Sequence, residues 1–119
     1  MITGIDTILY NVKDFDRALG FYTKLIGEPT TLNRMDGGSG WAEFELADGT
    51  TFSIGKYPAY PWQAGYNIMF AVPDVPAASE LVRSLGGTAL EPTESPVCHT
   101  AMAEDTEGNQ LILHQRKQD

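Results

Sequence analysis

The chain has a single cysteine, so no internal disulfide can staple it, and that usage fits a reducing cytoplasm. Basic residues are scarce: Lys and Arg total 8 against 16 Asp and Glu, a formal net charge of −8. Nucleic-acid binding takes its affinity from Lys and Arg set against phosphates, and no basic stripe runs through this sequence to supply them. No apolar run approaches the ~20 residues of a bilayer-spanning helix. The first twelve residues, MITGIDTILYNV, lack a basic region followed by an apolar stretch, so no secretory signal is expected. These absences point to a cytoplasmic protein with neither nucleic acid nor membrane as partner. The acid surplus reads either as solubility or as attraction for a cationic small molecule. With 42% hydrophobic and 20% charged residues the composition is that of a folded globule, and 119 residues make one domain.

What the sequence does contain is itself, twice. Shifted by sixty positions, Ile8 falls on Ile68, Tyr10 on Phe70, Val12 on Val72, Asp14 on Asp74, Ala18 on Ala78, Leu25 on Leu85 and Gly27 on Gly87. Further on, with a shift of fifty-nine, residues 48–54 (DGTTFSI) lie under 107–113 (EGNQLIL). A repeat of this period means two copies of one supersecondary unit. Residues 5–56 form the first module, 66–115 the second, and 57–65 (YPAYPWQAG) a linker with two prolines and no hydrophobic period.

Within each module the patterns alternate between two and three-to-four. Residues 5–12 alternate as a strand. Asp14 stands as N-cap to a helix whose apolar stripe runs through Leu19, Phe21 or Tyr22, Leu25 and Ile26, and Gly27 ends it. Strands follow at 29–35, 41–46 and 51–56, the last two joined at Asp48-Gly49. The second module repeats this order: strand 66–72, helix 74–85, strand 88–91, a loop through Pro92 and Pro96, then strands 97–104 and 110–115. The expected fold is α+β, two βαβββ modules in tandem whose curved mixed sheets enclose a concave groove where the copies meet.

The duplication, with V-x-D opening the first helix, F-Y-x-x-L-I-G closing it and D-x-x-G-N before the last strand, resembles the vicinal oxygen chelate superfamily. That group includes glyoxalase I, extradiol dioxygenases, and the fosfomycin- and bleomycin-resistance proteins. The resemblance implies a divalent metal held by His and Glu at four places, on the first and last strand of each copy. Those places fall here on Thr7, Ser53, Asn67 and Ile112. Two hydroxyls, an amide and a hydrocarbon are not a ligand set for such an ion, so no cofactor is expected.

Strand alternation puts Thr7, Leu9, Trp41, Glu43, Glu45, Ser53, Asn67, Met69, Ile112 and His114 on the faces that would line the groove, and these are the candidate ligand-binding residues. Glu43 and Glu45, about 7 Å apart by strand rise, either share acid–base work, face a cationic guest or are simply solvated. His114 either ligates or hydrogen-bonds at the rim. Cys98 and His99, adjacent on one strand, cannot both face the groove, and Cys98 reads as a small buried hydrophobe. The aromatics Trp41, Tyr57, Tyr60, Trp62 and Tyr66 either wall a pocket for a flat or cationic ligand or pack the linker. The resemblance then implies a metal-independent small-molecule binder of the bleomycin-resistance type, paired as a homodimer, that sequesters an antibiotic or toxic compound. Its alternative is a metal-dependent lyase, isomerase or dioxygenase with the ion displaced onto His114 and Glu43 or Glu45.

Overall fold

The computed structural model describes residues 1–59 and 61–117. The first alternating run becomes strand β1 (Ile8–Asn11), shorter than its pattern, because Ile5 is exposed and has no face to bury. Asp14 then caps helix α1 (Phe15–Leu25), its carboxylate accepting from the Arg17 amide at 3.0 Å. Strand β2 (Thr31–Arg34), a short 3₁₀ turn (Asp36–Gly38), β3 (Gly40–Glu45) and β4 (Thr51–Lys56) complete the first copy. The second begins with β5 (Ile68–Ala71) and helix α2 (Val75–Ser84), capped by Asp74 onto the Ala77 amide at 3.0 Å. Strands β6 (Thr88–Ala89), β7 (Thr93–Glu94), β8 (Cys98–Glu104) and β9 (Gln110–Arg116) follow.

Two compact units result, Met1–Gln63 and Ala64–Asp119, dividing inside the stretch expected as linker. In the first the strand order is β1-β4-β3-β2, with β1 parallel to β4 and the other pairs antiparallel. In the second it is β5-β9-β8-β6, with β5 parallel to β9 and the short β7 also on β8. Each unit is thus a mixed sheet with one helix, and the architecture is α+β.

The registers repeat with the sequence: Ile8 pairs with Phe52 as Ile68 pairs with Leu111, and Phe44 meets Phe52 as Ala103 meets Leu111. The offset changes from sixty to fifty-nine inside the helix, since α1 has 11 residues and α2 has 10. The counterpart of Gly27 is therefore Gly86 rather than Gly87. Both adopt the positive φ that follows a helix end, 134° and 96°. A second correction concerns the stretch expected as a loop from Pro92 to Pro96, where Thr93–Glu94 form β7. The register on β8 slips by one residue between Ala89↔Ala103 and Thr93↔Thr100, and Pro92, which has no amide to donate, sits at that slip.

The helix-facing sides carry the cores. In the first unit Tyr10, Phe44, Phe52 and Ile54 meet Phe15, Leu19, Phe21 and Tyr22, all buried. In the second, Leu111, Leu113, Ala101 and Ala103 meet Val75 and Val82. Where α1 has Leu19, α2 has Ser79, 1% exposed, whose hydroxyl finds no hydrogen-bond partner among the described residues. An unmet buried hydroxyl is destabilising, and alanine is the better helix former. Ser79→Ala is expected to raise stability by about 1 kcal/mol, measured by urea denaturation; a loss of that size would mean that the hydroxyl has a partner.

Candidate functional site

The side of each sheet turned from its helix holds the candidate residues. On the first sheet Leu9 and Glu43 both pair with Ser53, forming one cross-strand row; Asn11 and Trp41 both pair with Gly55 in the next; Glu45 pairs with Thr51. The burial of β3 alternates as the period requires, Ala42 and Phe44 inward, Trp41 and Glu43 half-buried on the other face, Glu45 exposed.

Thr7 lies just before β1. Its hydroxyl donates to the Thr51 carbonyl at 3.1 Å and sits 2.6 Å from Ser53 Oγ. A threonine has one hydroxyl proton, so with that proton on Thr51 the short contact is made by Ser53 donating to Thr7. Ser53 is fully buried. The two hydroxyls that stand where the fold resemblance puts chelators therefore satisfy each other and the backbone.

Trp41 is laid flat by what β4 lacks. A Cβ at Gly55 would come 2.9 Å from Trp41 Cε3 and 3.1 Å from Cζ3, so the indole rests on bare backbone. Its Nε1 donates to Glu43 Oε2 at 2.9 Å, and the Tyr57 ring lies 5.9 Å away at 50°. Gly55 was not among the expected site residues; the signal for it is a glycine inside an otherwise alternating strand. Of the other aromatics, Trp62 lies under Lys13, whose Nζ is 4.1 Å from the ring centroid, and Tyr66 is exposed in the second unit. Tyr60 lies outside the described residues.

On the second sheet one of the two matching rows is apolar and the other carries His114. Met69 and Met102 flank Ile112, and Ala71 and Thr100 flank His114. Met69 is 53% exposed, and a depression of about 320 Å³ opens beside Met102, lined also by Tyr66, Leu90 and Gln110. Asn67 precedes β5 with φ 70°, a left-handed conformation that asparagine tolerates. His99 points to the other side, 3.7 Å from Glu94, whose carboxyl is held below its usual range first by the Lys117 ammonium at 2.8 Å. Cys98 and His99 are on opposite faces, as strand alternation demands.

Cys98, expected to be buried, is half-exposed on the His114 face. Its thiol lies 3.3 Å from Ser95 Oγ and 3.6 Å from Thr100 Oγ1, hydrogen bonds that hold it below the usual thiol value, with Lys117 and Arg116 adding to the effect. The thiolate forms at lower pH than in a free cysteine. Alkylation by iodoacetamide is therefore expected to follow a pH midpoint below that of a model thiol, and Ser95→Ala to move the midpoint upward. An unshifted midpoint in both proteins would refute the contact.

A divalent ion does not suit these positions. Thr7 and Ser53 are engaged with each other, Ile112 has no donor, and the Asn67 amide is neutral. Among the described residues no three His, Cys, Asp or Glu side chains gather to hold an ion.

A family described as glyoxalase-like domain matches residues 7–114. Among solved structures, TnmS3, an antibiotic-binding protein from Streptomyces sp. CB03234, is 21% identical with a TM-score of 0.77, covering 98% of each chain. A glyoxylase/bleomycin resistance protein/dioxygenase domain from Frankia sp. EAN1pec is 15% identical with a TM-score of 0.75, covering 99% of this chain and 95% of that one. A variant of the fosfomycin resistance protein FosX from Listeria monocytogenes, complexed with Mn(II) and 1S,2S-dihydroxypropylphosphonic acid, is 21% identical with a TM-score of 0.73, covering 96% and 93%. Identities this low establish a common fold. Curated proteins gave no match.

Proposed function

This chain belongs to the glyoxalase-like domain family, with the vicinal oxygen chelate fold, and from that premise we propose that it binds a small organic molecule without a metal. The observation that carries the reading is the Thr7–Ser53 hydroxyl pair at 2.6 Å, two ligand positions of the fold whose protons are already committed, to each other and to the Thr51 carbonyl. The apolar row Met69–Ile112–Met102 and the aromatic pair Trp41–Tyr57 support an organic ligand, and TnmS3 shows that a protein of this fold binds an antibiotic. Binding residues in this reading are Leu9, Trp41, Glu43 and Glu45 on the first sheet and Asn67, Met69, Ile112 and His114 on the second, with Thr7 and the buried Ser53 engaged with each other, and the role is sequestration of an antibiotic or toxic compound. The protein acts in the cytoplasm as a homodimer, which light scattering on the purified chain would test.

The deciding experiment is calorimetric titration with a panel of planar and glycopeptide antibiotics, before and after exhaustive chelation, alongside elemental analysis of protein prepared without chelator. Binding that survives chelation supports the reading. A stoichiometric divalent ion whose removal abolishes binding would replace it with the metal-dependent alternative.

A further inference from the structure

We propose that Trp41, Tyr57 and Glu43 form a receptor for a protonated planar amine, an inference that rests on the binding function above and names the class of its ligand. Two flat rings supply the surface. The indole is held down on Gly55 and the Tyr57 ring is tilted against it at 50°, so the ligand meets aromatic area that is already ordered. Little side-chain entropy is then lost on binding.

The carboxylate supplies the charge. Glu43 is half-buried beside the indole, and one of its oxygens, Oε2, accepts from the indole Nε1. That bond fixes the rotamer and leaves Oε1 as acceptor. Among the described residues no Lys, Arg or His pairs with Glu43, although Arg34, Lys117 and Lys13 all have partners of their own. A carboxylate that is oriented at the edge of the indole and has no counter-cation among the described residues attracts a cation bearing an N–H: the charge is met by Oε1, the ring system by dispersion against the indole and the Tyr57 ring packed on it. A neutral aromatic would gain only the second, and an anion would be repelled. The indole N–H also rules out Trp41 as a mere apolar filler, because its orientation is set by the same carboxylate.

The test uses 9-aminoacridine, protonated at neutral pH, and acridine, its uncharged counterpart under slightly alkaline conditions, in calorimetric titrations of the whole chain. The cation is expected to bind about tenfold more tightly, the difference that one charge-assisted hydrogen bond confers. Glu43→Gln, which keeps shape and the indole bond, should erase that preference while leaving acridine binding as it was. Glu28→Gln removes the same charge from an exposed position away from β3 and should keep the preference. With Trp62→Phe in place Trp41 is the remaining tryptophan, and its fluorescence should be quenched on binding. Equal binding of both probes, a preference that persists in Glu43→Gln, or an equal loss in Glu28→Gln each overturns the receptor while the binding function stands. If neither probe binds but a compound of the antibiotic panel does, the ligand class is wrong and the function survives. If nothing in either set binds, both fail.

Discussion

Phe52→Ala is expected to lower stability by about 4 kcal/mol, read as the change in urea midpoint at constant slope. Phe52 is 1% exposed and lies at the junction of the first unit's core. Its ring stands edge-on to Tyr10 at 5.6 Å, tilted against Tyr22 at 5.0 Å, and 6.4 Å from Phe44 across the strand pair. Truncation removes the transfer energy of a whole ring and leaves a cavity walled by three other rings, which are too stiff to collapse into it. Domains of this size are stable by only ~5–15 kcal/mol, so the variant gives up a large share. Phe52→Leu, which refills part of the volume, should recover about half of the loss. A cost below about 1 kcal/mol for the alanine would mean that the ring cluster is not the core.

Asp105→Ala should cost about 3 kcal/mol, by removing the acceptor for three hydrogen bonds. Asp105 is 4% exposed; its Oδ1 accepts from the Glu107 amide at 2.7 Å and the Asn109 amide at 2.9 Å, and its Oδ2 from the Asn109 side chain at 3.0 Å. Asn109, itself buried, passes the network on by accepting from the Gly65 amide at 2.7 Å, which ties the start of the second unit to its last hairpin. Without the carboxylate these buried donors lose that acceptor, and taking away a buried donor's acceptor costs more than the net worth of the bond it made. The equivalent hairpin of the first unit has Leu46 at this place, and its acidic residue, Asp48, is exposed and accepts from the Thr50 amide. Asp48→Ala is the matched control and should barely move the midpoint. Equal effects in the two hairpins would show that exposure, not the buried network, sets the cost.

That contrast marks where the sequence stopped being informative. Asp105 and Asp48 both stand beside a glycine-containing turn, and neither pattern says which carboxylate is enclosed. Alternation assigned Trp41, Glu43 and Glu45 to the face away from the helix, and the structure puts them there, because a side-chain period of two allows no other outcome once Ala42 and Phe44 are inward. It did not reveal that the indole is pinned by Gly55 and bonded to Glu43, since those contacts depend on register between strands that the pattern of one strand does not carry. Cys98 departs from the expectation for a related reason: its residue type is usually buried, but its place near the start of β8, beside Ser95, leaves it half-exposed.

The sequence by itself determined the duplication, the two caps at Asp14 and Asp74, the order of helices and strands apart from the short β7, and the side chains at Thr7, Ser53, Asn67 and Ile112 where the fold resemblance calls for metal ligands. These are local or periodic properties, written in residue type and spacing. The tertiary structure alone decided that Thr7 and Ser53 bond to each other, that Ser79 is buried without a partner among the described residues, and that α2 is the copy missing one residue. Each depends on atoms brought together from positions far apart in the chain or on which face a helix turns to its sheet, and distance along the chain says nothing about either.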